Sequence, residues 1–337
     1  MNSSNPIFSH QFQIVKELSA EFEKITVITG EAPIDELPAN IQVFVSKWIP
    51  GKNLRNSFSF ISRFLKIILA DRNLIIFSHM TEVQSSLTSP ISKVLRIRHY
   101  LWYAHVSKSK YLRWNYYWVD GIITSTTGSC PIHGEKVQVI GQSIDKKIFI
   151  RQNHKSSNLK KLIHIGRFDS SKNIADLIRV VKNLRDEGRD LTLHIIGSAS
   201  NSDNLEYQRK VIQENFDNVT AGWLTFSPNI LRKNIPETLI NYDIFIHAFQ
   251  GSLDKTVVEA TFLCLPVVTL NKEFINEFGS WSIGSAGKSL QDELVALLKS
   301  SPSLIESTME SRLKIAVEMH SLDRWIQKIV SVFNSKN

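Results

Sequence analysis

The chain has 337 residues, of which 42% are hydrophobic and 21% are charged, with 40 Lys and Arg against 32 Asp and Glu. This length is too great for one compact core and predicts two domains of roughly 150 residues each. The composition is typical of a globular protein, and the sequence has no apolar run of about 18 residues that would predict a membrane span.

The positive charge is concentrated in the first half of the chain. Residues 1–150 hold 17 Lys and Arg against 11 Asp and Glu, whereas residues 151–337 hold 23 against 21. A basic surface of this kind attracts nucleic acid, an anionic membrane or an anionic substrate, and a solvated basic face without a dedicated partner explains it equally well.

The ends and the cysteines of the sequence predict a cytoplasmic protein. The amino terminus, MNSSNPIFSH, lacks the basic region and the continuous apolar region of an export signal. Cys130 and Cys264 lie far apart without a metal-type spacing, which is typical of a reducing compartment.

Short runs of β-branched residues alternate with longer amphipathic segments in the first half, a pattern that predicts parallel strands covered by helices. A helix with Phe12, Val15, Leu18 and Phe22 on its buried side is predicted before the first strand. The apolar stretch at 58–70 contains two basic residues and predicts a packed amphipathic helix. Strands are predicted at residues 25–29, 41–45, 74–77, 100–103, 121–124 and 137–140.

The second half repeats this alternation after the polar segment 151–161, which we interpret as a linker. A helix with an apolar face follows the first of these strands, and Gly188 is predicted to end it. A last amphipathic helix carries Trp325, Ile329 and Phe333 on one stripe. Strands are predicted at residues 162–165, 191–196, 243–248 and 266–269. In open parallel sheets, ligands bind beyond the carboxyl ends of the strands, so the loops there are the candidate sites.

The clearest candidate is the strand-to-helix loop at 166–173, GRFDSSKN. Gly166 permits close backbone approach, the two serines are candidates to cap the helix, and a helix amino terminus favours an anion. Arg167 and Lys172 add two cations suited to phosphate oxygens. The alternative is two surface cations beside an ordinary helix cap.

A second strand-to-helix loop, GSLDKTVVEA at 251–260, contains Asp254, Lys255 and Glu259. A carboxylate one turn into such a helix is suited to accept hydrogen bonds from a ribose diol. From spacing alone, Glu259 is equally well explained as a solvated helix acid, and the adjacent Asp254 and Lys255 are expected to diverge.

His105 ends the aromatic sequence LWYAH at the carboxyl edge of the first-domain sheet. Such a histidine is placed to donate to a sugar hydroxyl or to tune charge near a leaving group. The alternative interpretation is a structural, hydrogen-bonded histidine.

Several motifs together resemble retaining glycosyltransferases of sequence family 4, the glycosyl transferases group 1. HIGRFDSSKN, LHIIG, YDIFIHA and SLDKTVVEATFLCLPVVT stand in that family's order and spacing over roughly residues 162–269. FSHQFQIVKELS, LWYAH and VIGQSIDKKIF give a weaker match in the first half.

The resemblance implies an α/β glycosyltransferase-B architecture, with two Rossmann-like, doubly wound parallel-sheet domains facing a cleft. Residues 1–150 would form the acceptor-side domain and residues 151–320 the nucleotide-sugar-binding domain. Residues 321–337 would form a helix that packs back toward the first domain.

The resemblance also implies a role for each candidate residue. Arg167 and Lys172 are similar to the pair that holds the donor diphosphate, and Glu259 to the acid that binds the ribose. Together with His105, which is similar to the family's active-site histidine, Arg167 and Lys172 are the expected catalytic residues.

Gly166, Asp254 and Lys255 complete the expected donor-binding set with Arg167, Lys172 and Glu259. The implied reaction moves a sugar from a nucleoside-diphosphate-sugar to a glycan or a lipid-linked acceptor in cell-envelope or polysaccharide biosynthesis. The acceptor would attack from the leaving group's own face, so that no protein nucleophile is required.

No cofactor is expected, because the sequence has no Asp-x-Asp triplet and the two cations of the loop make a divalent metal unnecessary. The expected partners are the donor, the acceptor and, as a candidate, an anionic membrane surface on which the protein would be peripheral. Nucleic acid is not an expected partner.

The sequence departs from the family at three places. Gly251 stands where an acid commonly opens a motif that ends at Glu259, and Ser143 replaces a glycine near the hinge. The pattern also begins at a helix, so the first strand of the first domain is missing from it. Gly251 and the missing strand keep open a non-catalytic homologue acting as a regulatory or scaffolding subunit. A nucleotide-sugar epimerase is a third and weaker alternative, because the sequence does not place the acid/base groups that it needs.

Overall fold

A computed structural model of the chain describes residues 9–49, 52–150, 159–282 and 289–335. The chain divides into two compact units: Met1–Ser143 with Leu322–Asn337 form unit 1, and Ile144–Ser321 form unit 2. Ile144 and Phe149 are buried in a core of unit 2, so the division comes earlier than the predicted boundary at residue 150. Most of the predicted linker, residues 151–158, lies outside the described residues. Over the described ranges, no helix combines the length and the apolarity that a bilayer crossing requires.

Unit 1 alternates helices with short strands. The strands are β1 (Ile25–Thr29), β2 (Ile41–Val45), β3 (Ile75–His79), β4 (Arg98–Trp102), β5 (Gly121–Thr124) and β6 (Val137–Val139). The helices among them are α1 (Ser9–Leu18), α2 (Asn53–Ala70), α3 (Glu82–Val94) and α4 (Lys110–Trp118). All strand pairs in this unit are parallel.

The strands of unit 1 form two sheets, one of β1 and β2 and one with the order β3-β4-β5-β6. Ile25 of β1 and Ile75 of β3 pack against the same hydrophobic cluster, although these strands are not hydrogen-bonded to each other. Within the described residues no strand precedes α1. On the face that lies opposite this cluster, α2 packs against α3, and α3 packs against α4.

Unit 2 continues the alternation with longer helical insertions. Its strands are β7 (Lys161–Ile165), β8 (Thr192–Ile196), β9 (Leu224–Ser227), β10 (Ile244–His247) and β11 (Val267–Thr269). Its helices are α5 (Ile174–Asp186), α6 (Ser202–Glu214), α7 (Phe216–Thr220), α8 (Ile235–Leu239), α9 (Lys255–Phe262), α10 (Lys272–Phe278), α11 (Leu290–Lys299) and α12 (Pro302–His320).

The sheet of unit 2 has the order β11-β10-β7-β8-β9, and all its pairs are parallel. The central strand β7 is buried on both faces, so it lies between the two large hydrophobic clusters of the unit. Gly188 has a φ of 89° just after α5, which confirms it as the residue that ends this helix. The carboxyl ends of β7 and β10 are neighbours, and each is followed by a candidate loop.

The last helix, α13 (Leu322–Asn334), belongs to unit 1. Trp325, Ile329 and Phe333 are buried on one stripe and pack with Ile14 and Leu18 of α1. The apolar stripe that the sequence predicted for this helix therefore packs on an apolar face of the first unit.

Helix α2 differs from the packed helix predicted at 58–70. Asn56, Phe64 and Ile68 are its buried residues, whereas Phe58 and Leu69 are exposed to solvent. The packed, amphipathic character predicted for 58–70 is confirmed on one side of α2, whereas the helix begins earlier, at Asn53, and part of its apolar surface faces solvent.

Candidate active site

The loop after β7 is shaped by Asp169 and Asn173. The Asp169 carboxylate accepts hydrogen bonds from the backbone N–H of Ser171 at 2.9 Å and from its hydroxyl at 2.7 Å. Asn173 occupies the N-cap position of α5 with a φ of 50° and makes no side-chain capping bond. The prediction that the serines cap this helix was therefore wrong, because a short 3₁₀ turn with its own aspartate cap precedes α5.

Lys172 turns inward at the end of this loop. Its side chain is buried, and its ammonium forms an ion pair with the Asp254 carboxylate. The Nζ atom also lies 3.8 Å from the centre of the Phe249 ring, a cation–π distance. A buried ammonium without a counter-charge would be costly, so Asp254 is what allows Lys172 to remain inside.

His247, the last residue of β10, is a second partner of Asp254. Its Nε2 atom lies 3.2 Å from Asp254 Oδ2, and its Nδ1 atom lies 3.2 Å from Thr269 Oγ1. Burial favours a raised pKa for Asp254, but the Lys172 and His247 neighbours outweigh it and hold that pKa well below its usual value. Burial lowers the pKa of His247. The cluster is thus a charged lysine–aspartate pair supported by a histidine.

Glu259 lies in the first turns of α9 and is only 1% exposed. Its Oε1 atom forms an ion pair with Arg232, and its Oε2 atom has no hydrogen-bond partner among the described residues. Burial raises the pKa of Glu259 against the opposing effects of Arg232 and Lys255. Burial and the neighbouring Arg232 lower the pKa of Lys255 well below its usual value. The interpretation of Glu259 as a solvated surface acid is therefore wrong.

Two glycines permit the close packing around these side chains. A β-carbon on Gly251 would lie 2.1 Å from the Phe249 ring, so the space beside Lys172 is filled by that ring. A β-carbon on Gly166 would lie 2.8 Å from His164 Nε2. His164 is fully buried, and burial lowers its pKa to about 3. Gly166 thus lets the loop lie directly over a neutral histidine.

The structure brings four of the predicted residues of unit 2 into two adjoining ion-pair clusters. Lys172 pairs with Asp254, Arg232 pairs with Glu259, and the charge of Lys255 acts on Glu259. Arg167 is exposed at the mouth of the same loop, and its charge acts on Asp169.

His105 lies in unit 1, shortly after the carboxyl end of β4, and is exposed. Its Nδ1 atom accepts a hydrogen bond of 3.0 Å from the backbone N–H of Ser107. This bond leaves the proton of a neutral imidazole on Nε2, where it is available to donate.

Sequence reasoning missed Arg232, His247 and Phe249. His247 stands inside the quoted motif YDIFIHA, at the end of a predicted strand, and this position was a usable signal. Arg232 lies in a 3₁₀ turn, Arg232–Asn234, that follows the unpredicted strand β9, so no predicted element pointed to it.

The arrangement is suited to bind an anion beside a polyol. Lys172 and Arg167 place cations at the carboxyl edge of the sheet, and Glu259 is a buried carboxylate whose Oε2 atom has no hydrogen-bond partner among the described residues. Within the part of the chain that the structure describes, no three His, Cys, Asp or Glu side chains are grouped so that they could hold a metal ion.

The fold is that of the glycosyltransferase-B class, with parallel α/β sheets in both units, and this confirms the fold predicted from the motifs. Residues 145–280 match the family model described as glycosyl transferases group 1, the family that the sequence motifs resemble. No curated protein sequence matches the chain.

Solved structures of glycosyltransferases match nearly the whole chain at low identity. Anabaena HepE in complex with UDP and glucose has a TM-score of 0.70 and 14% identity, with 99% of this chain and 98% of that chain covered. Sucrose-phosphate synthase from Thermosynechococcus elongatus has a TM-score of 0.75 and 12% identity, with coverages of 96% and 92%. The lipopolysaccharide outer core galactosyltransferase WaaB has a TM-score of 0.66 and 12% identity, with coverages of 98% and 98%.

Proposed function

We propose that this chain is a retaining glycosyltransferase that moves a sugar from a nucleoside-diphosphate-sugar to a glycan or a lipid-linked acceptor. Its place would be in cell-envelope or polysaccharide biosynthesis, at the cytoplasmic side of a membrane. The observation that carries the proposal is the position of two buried groups at one sheet edge: the Glu259 carboxylate, which is paired with Arg232, and the Lys172 ammonium, which is paired with Asp254.

Glu259 supports the donor-binding part of the proposal. A carboxylate can accept about four hydrogen bonds, so the ion pair with Arg232 leaves capacity on the buried Glu259 carboxylate for further donors. A ribose diol supplies two O–H donors at the spacing of a carboxylate. We assign Glu259 to the ribose, with Gly166, Asp254 and Lys255 completing the donor-binding wall.

Lys172 and Arg167 support the catalytic part. As the bond between the anomeric carbon and the phosphate oxygen breaks, negative charge grows on the diphosphate and the sugar becomes oxocarbenium-like. Fixed cations that meet this growing charge stabilise the transition state more than the ground state. Asp254 and His247 hold the Lys172 ammonium in position before the donor arrives.

The proposed transfer forms a bond from the acceptor oxygen to the anomeric carbon on the face that the diphosphate leaves. The acceptor hydroxyl proton passes to a phosphate oxygen of the leaving group, so atoms and charge balance without a protein nucleophile. His105 would donate its Nε2 proton to a hydroxyl of the transferred sugar.

We further propose that the reaction needs no metal ion, because Arg167 and Lys172 would meet the charge that a divalent cation otherwise neutralises. A chelator is therefore expected to leave the initial rate unchanged. A rate that disappears with chelator and returns with a divalent metal would contradict this part of the proposal.

The donor is tested with a panel of nucleotide-sugars scored by thermal shift. HepE was solved in complex with UDP and also in complex with UDP-glucose, so uridine nucleotides come first in the panel. A donor at a hundred times its Kd stabilises the fold by about 2.7 kcal/mol, which separates it clearly from non-ligands. Failure of every nucleotide-sugar to stabilise the protein would contradict the proposal.

A second candidate function is a non-catalytic homologue that binds a nucleotide-sugar and regulates or scaffolds another protein. Gly251, which stands where the family commonly has an acid, and Arg232, which already engages Glu259, are the observations that favour it. Thermal stabilisation by a donor without any turnover, with or without candidate acceptors, would support this second function.

A further inference from the structure

Helix α2 exposes a continuous apolar stripe. Leu54 is 90% exposed, Phe58 is 78% exposed and Leu69 is 66% exposed. At about 100° per residue, these side chains and the partly buried Ile61 and Leu65 fall within an arc of about 80° on one side of the helix. We call these five residues the α2 stripe. Isolated exposed apolar side chains need no explanation, but a stripe on one helix marks an interaction surface.

The α2 stripe lies in the most basic part of the chain. Helix α2 contains no Asp or Glu. Arg55 and Lys66 are found along one flank of the stripe, and Arg63 lies farther round the helix, on the side of the cavity described next. Between Lys47 and Trp118 the sequence holds 12 Lys and Arg but only two acids, whereas residues 1–46 hold two Lys and six acids. The positive excess of the first half therefore comes entirely from the segment that carries helices α2, α3 and α4.

A basic cavity adjoins the amino-terminal half of α2. Its volume is about 310 Å³, and it is lined by Val45, Ser46, Lys47, Ile49, Arg55, Asn56, Ser59 and Arg63. Asn56 fixes the cavity wall, because its side chain accepts a hydrogen bond from Ile49 N at 3.1 Å and donates one to Ile49 O at 2.7 Å. Three cations and no acid line this cavity, which suits it to a phosphate group.

The neighbouring helices extend the same kind of surface. Helix α4 exposes Tyr117, which is 73% accessible, and Trp114, and it carries Lys110 and Arg113. Aromatic side chains with one polar atom favour the boundary between lipid headgroups and acyl chains. Because α2 packs on α3 and α3 on α4, the apolar, aromatic and basic residues belong to one helical layer of unit 1.

We propose that the outer face of helices α2, α3 and α4 docks on an anionic lipid bilayer. The α2 stripe enters the boundary between headgroups and acyl chains, and Lys47, Arg55 and Arg63 take the phosphate of an anionic headgroup. An apolar stripe flanked by cations without acids matches the layered chemistry of such a surface. The inference rests on the proposed function only for the lipid-linked acceptor, which this docking would bring to unit 1.

The docking is tested by co-sedimentation of the full chain, without donor, with vesicles of phosphatidylcholine alone or mixed with phosphatidylglycerol. Binding is expected to the mixed vesicles and to weaken as salt is raised. Each cation near an anionic surface contributes about fivefold, so a variant with Lys47→Gln, Arg55→Gln and Arg63→Gln should bind about a hundredfold more weakly. Binding that is equal for both vesicle types would overturn the proposal.

Matched controls separate the surface from general effects of charge and hydrophobicity. The triple variant Leu54→Ser, Phe58→Ser and Leu69→Ser should lose vesicle binding, whereas Phe216→Ser, which removes an exposed apolar side chain from unit 2, should not. The triple variant Arg179→Gln, Lys182→Gln and Lys210→Gln changes the net charge equally at exposed sites of unit 2 and should bind like the parent protein.

The outcomes also distinguish this inference from the proposed function. The stripe residues are exposed, so the serine variant should keep its melting temperature and its thermal shift with the donor. The proposal would be overturned if the serine variant bound vesicles as well as the parent protein does. It would also be overturned if the parent protein formed a concentration-dependent dimer that the serine variant does not form, because the stripe would then belong to a dimer interface. Loss of donor binding in the parent protein would contradict the proposed function alone.

Discussion

Replacing Lys172 with Met tests whether the buried ammonium serves catalysis or only the fold. The substitution keeps an unbranched side chain against the Phe249 ring but leaves the Asp254 carboxylate with His247 as its remaining partner. Breaking a buried ion pair from one side costs about 3–5 kcal/mol, because the other charge stays buried. Asp254 is 22% exposed, so we expect a loss near the lower end, about 3 kcal/mol.

The catalytic effect has a separate origin and a separate size. Removing one preorganised cation from a developing oxyanion costs about 3 kcal/mol of transition-state stabilisation, or roughly a hundredfold in kcat. The double variant Lys172→Met with Asp254→Asn removes both charges. It should recover stability to within about 1 kcal/mol of the parent protein, since no unpaired charge remains, but it should not recover activity.

The measurements are urea unfolding and initial rates with the donor found by thermal shift. Lys182→Met is the matched control, because Lys182 lies on α5, is half exposed and pairs with Asp186 four residues later, a contact worth about 0.3–0.5 kcal/mol. If the double variant regained both stability and turnover, the Lys172 charge would be structural and the proposed leaving-group role would be refuted.

The remaining predictions concern Glu259 and two buried histidines. Glu259→Gln should raise the KM for the donor about 10-fold to 100-fold with little change in kcat, because a ribose contact is equally strong in the ground state and the transition state. The control Glu237→Gln, at an exposed position, should change neither KM nor kcat. A fall in kcat alone would contradict the assignment of Glu259 to the ribose. Burial lowers the pKa of His99 to about 4 and that of His164 to about 3. Between these pH values and about pH 6.5, the two histidines are therefore protonated in the unfolded chain but neutral in the folded chain. The free energy of unfolding should therefore be highest above pH 6.5 and fall by about 2 kcal/mol per histidine by pH 5, and a urea midpoint that is constant over this range would refute the assignment.

The strands were predictable where the sequence has short runs rich in β-branched residues. The bounds predicted at 25–29, 41–45 and 121–124 are those of β1, β2 and β5. Strand β9, LTFS, was missed because it is short and carries polar residues at the edge of the sheet, where one side of the strand has no partner. Its assignment depends on pairing with β8, a contact that local sequence does not encode.

The positions of the candidate residues were predictable, but their partners were not. Lys172 and Asp254 follow the neighbouring strands β7 and β10, so parallel topology alone places both at one sheet edge. Which acid pairs with which base depends on side-chain directions in the loops: Asp254 pairs with Lys172, whereas Glu259, five residues later, pairs with Arg232. Arg232 reaches Glu259 from a turn after the missed strand.

These pairings explain how the proposed donor site is stable in the protein alone. Lys172 and Arg232 each face a carboxylate of the protein itself, so neither is an isolated charge. A diphosphate that binds to Lys172 must therefore compete with Asp254, and a ribose that binds to Glu259 must compete with Arg232. Donor affinity is then the difference between two sets of contacts, which makes it modest. During transfer the leaving phosphate gains negative charge while Asp254 does not. The Lys172 ammonium should therefore bind the leaving group more strongly, relative to Asp254, as the bond breaks.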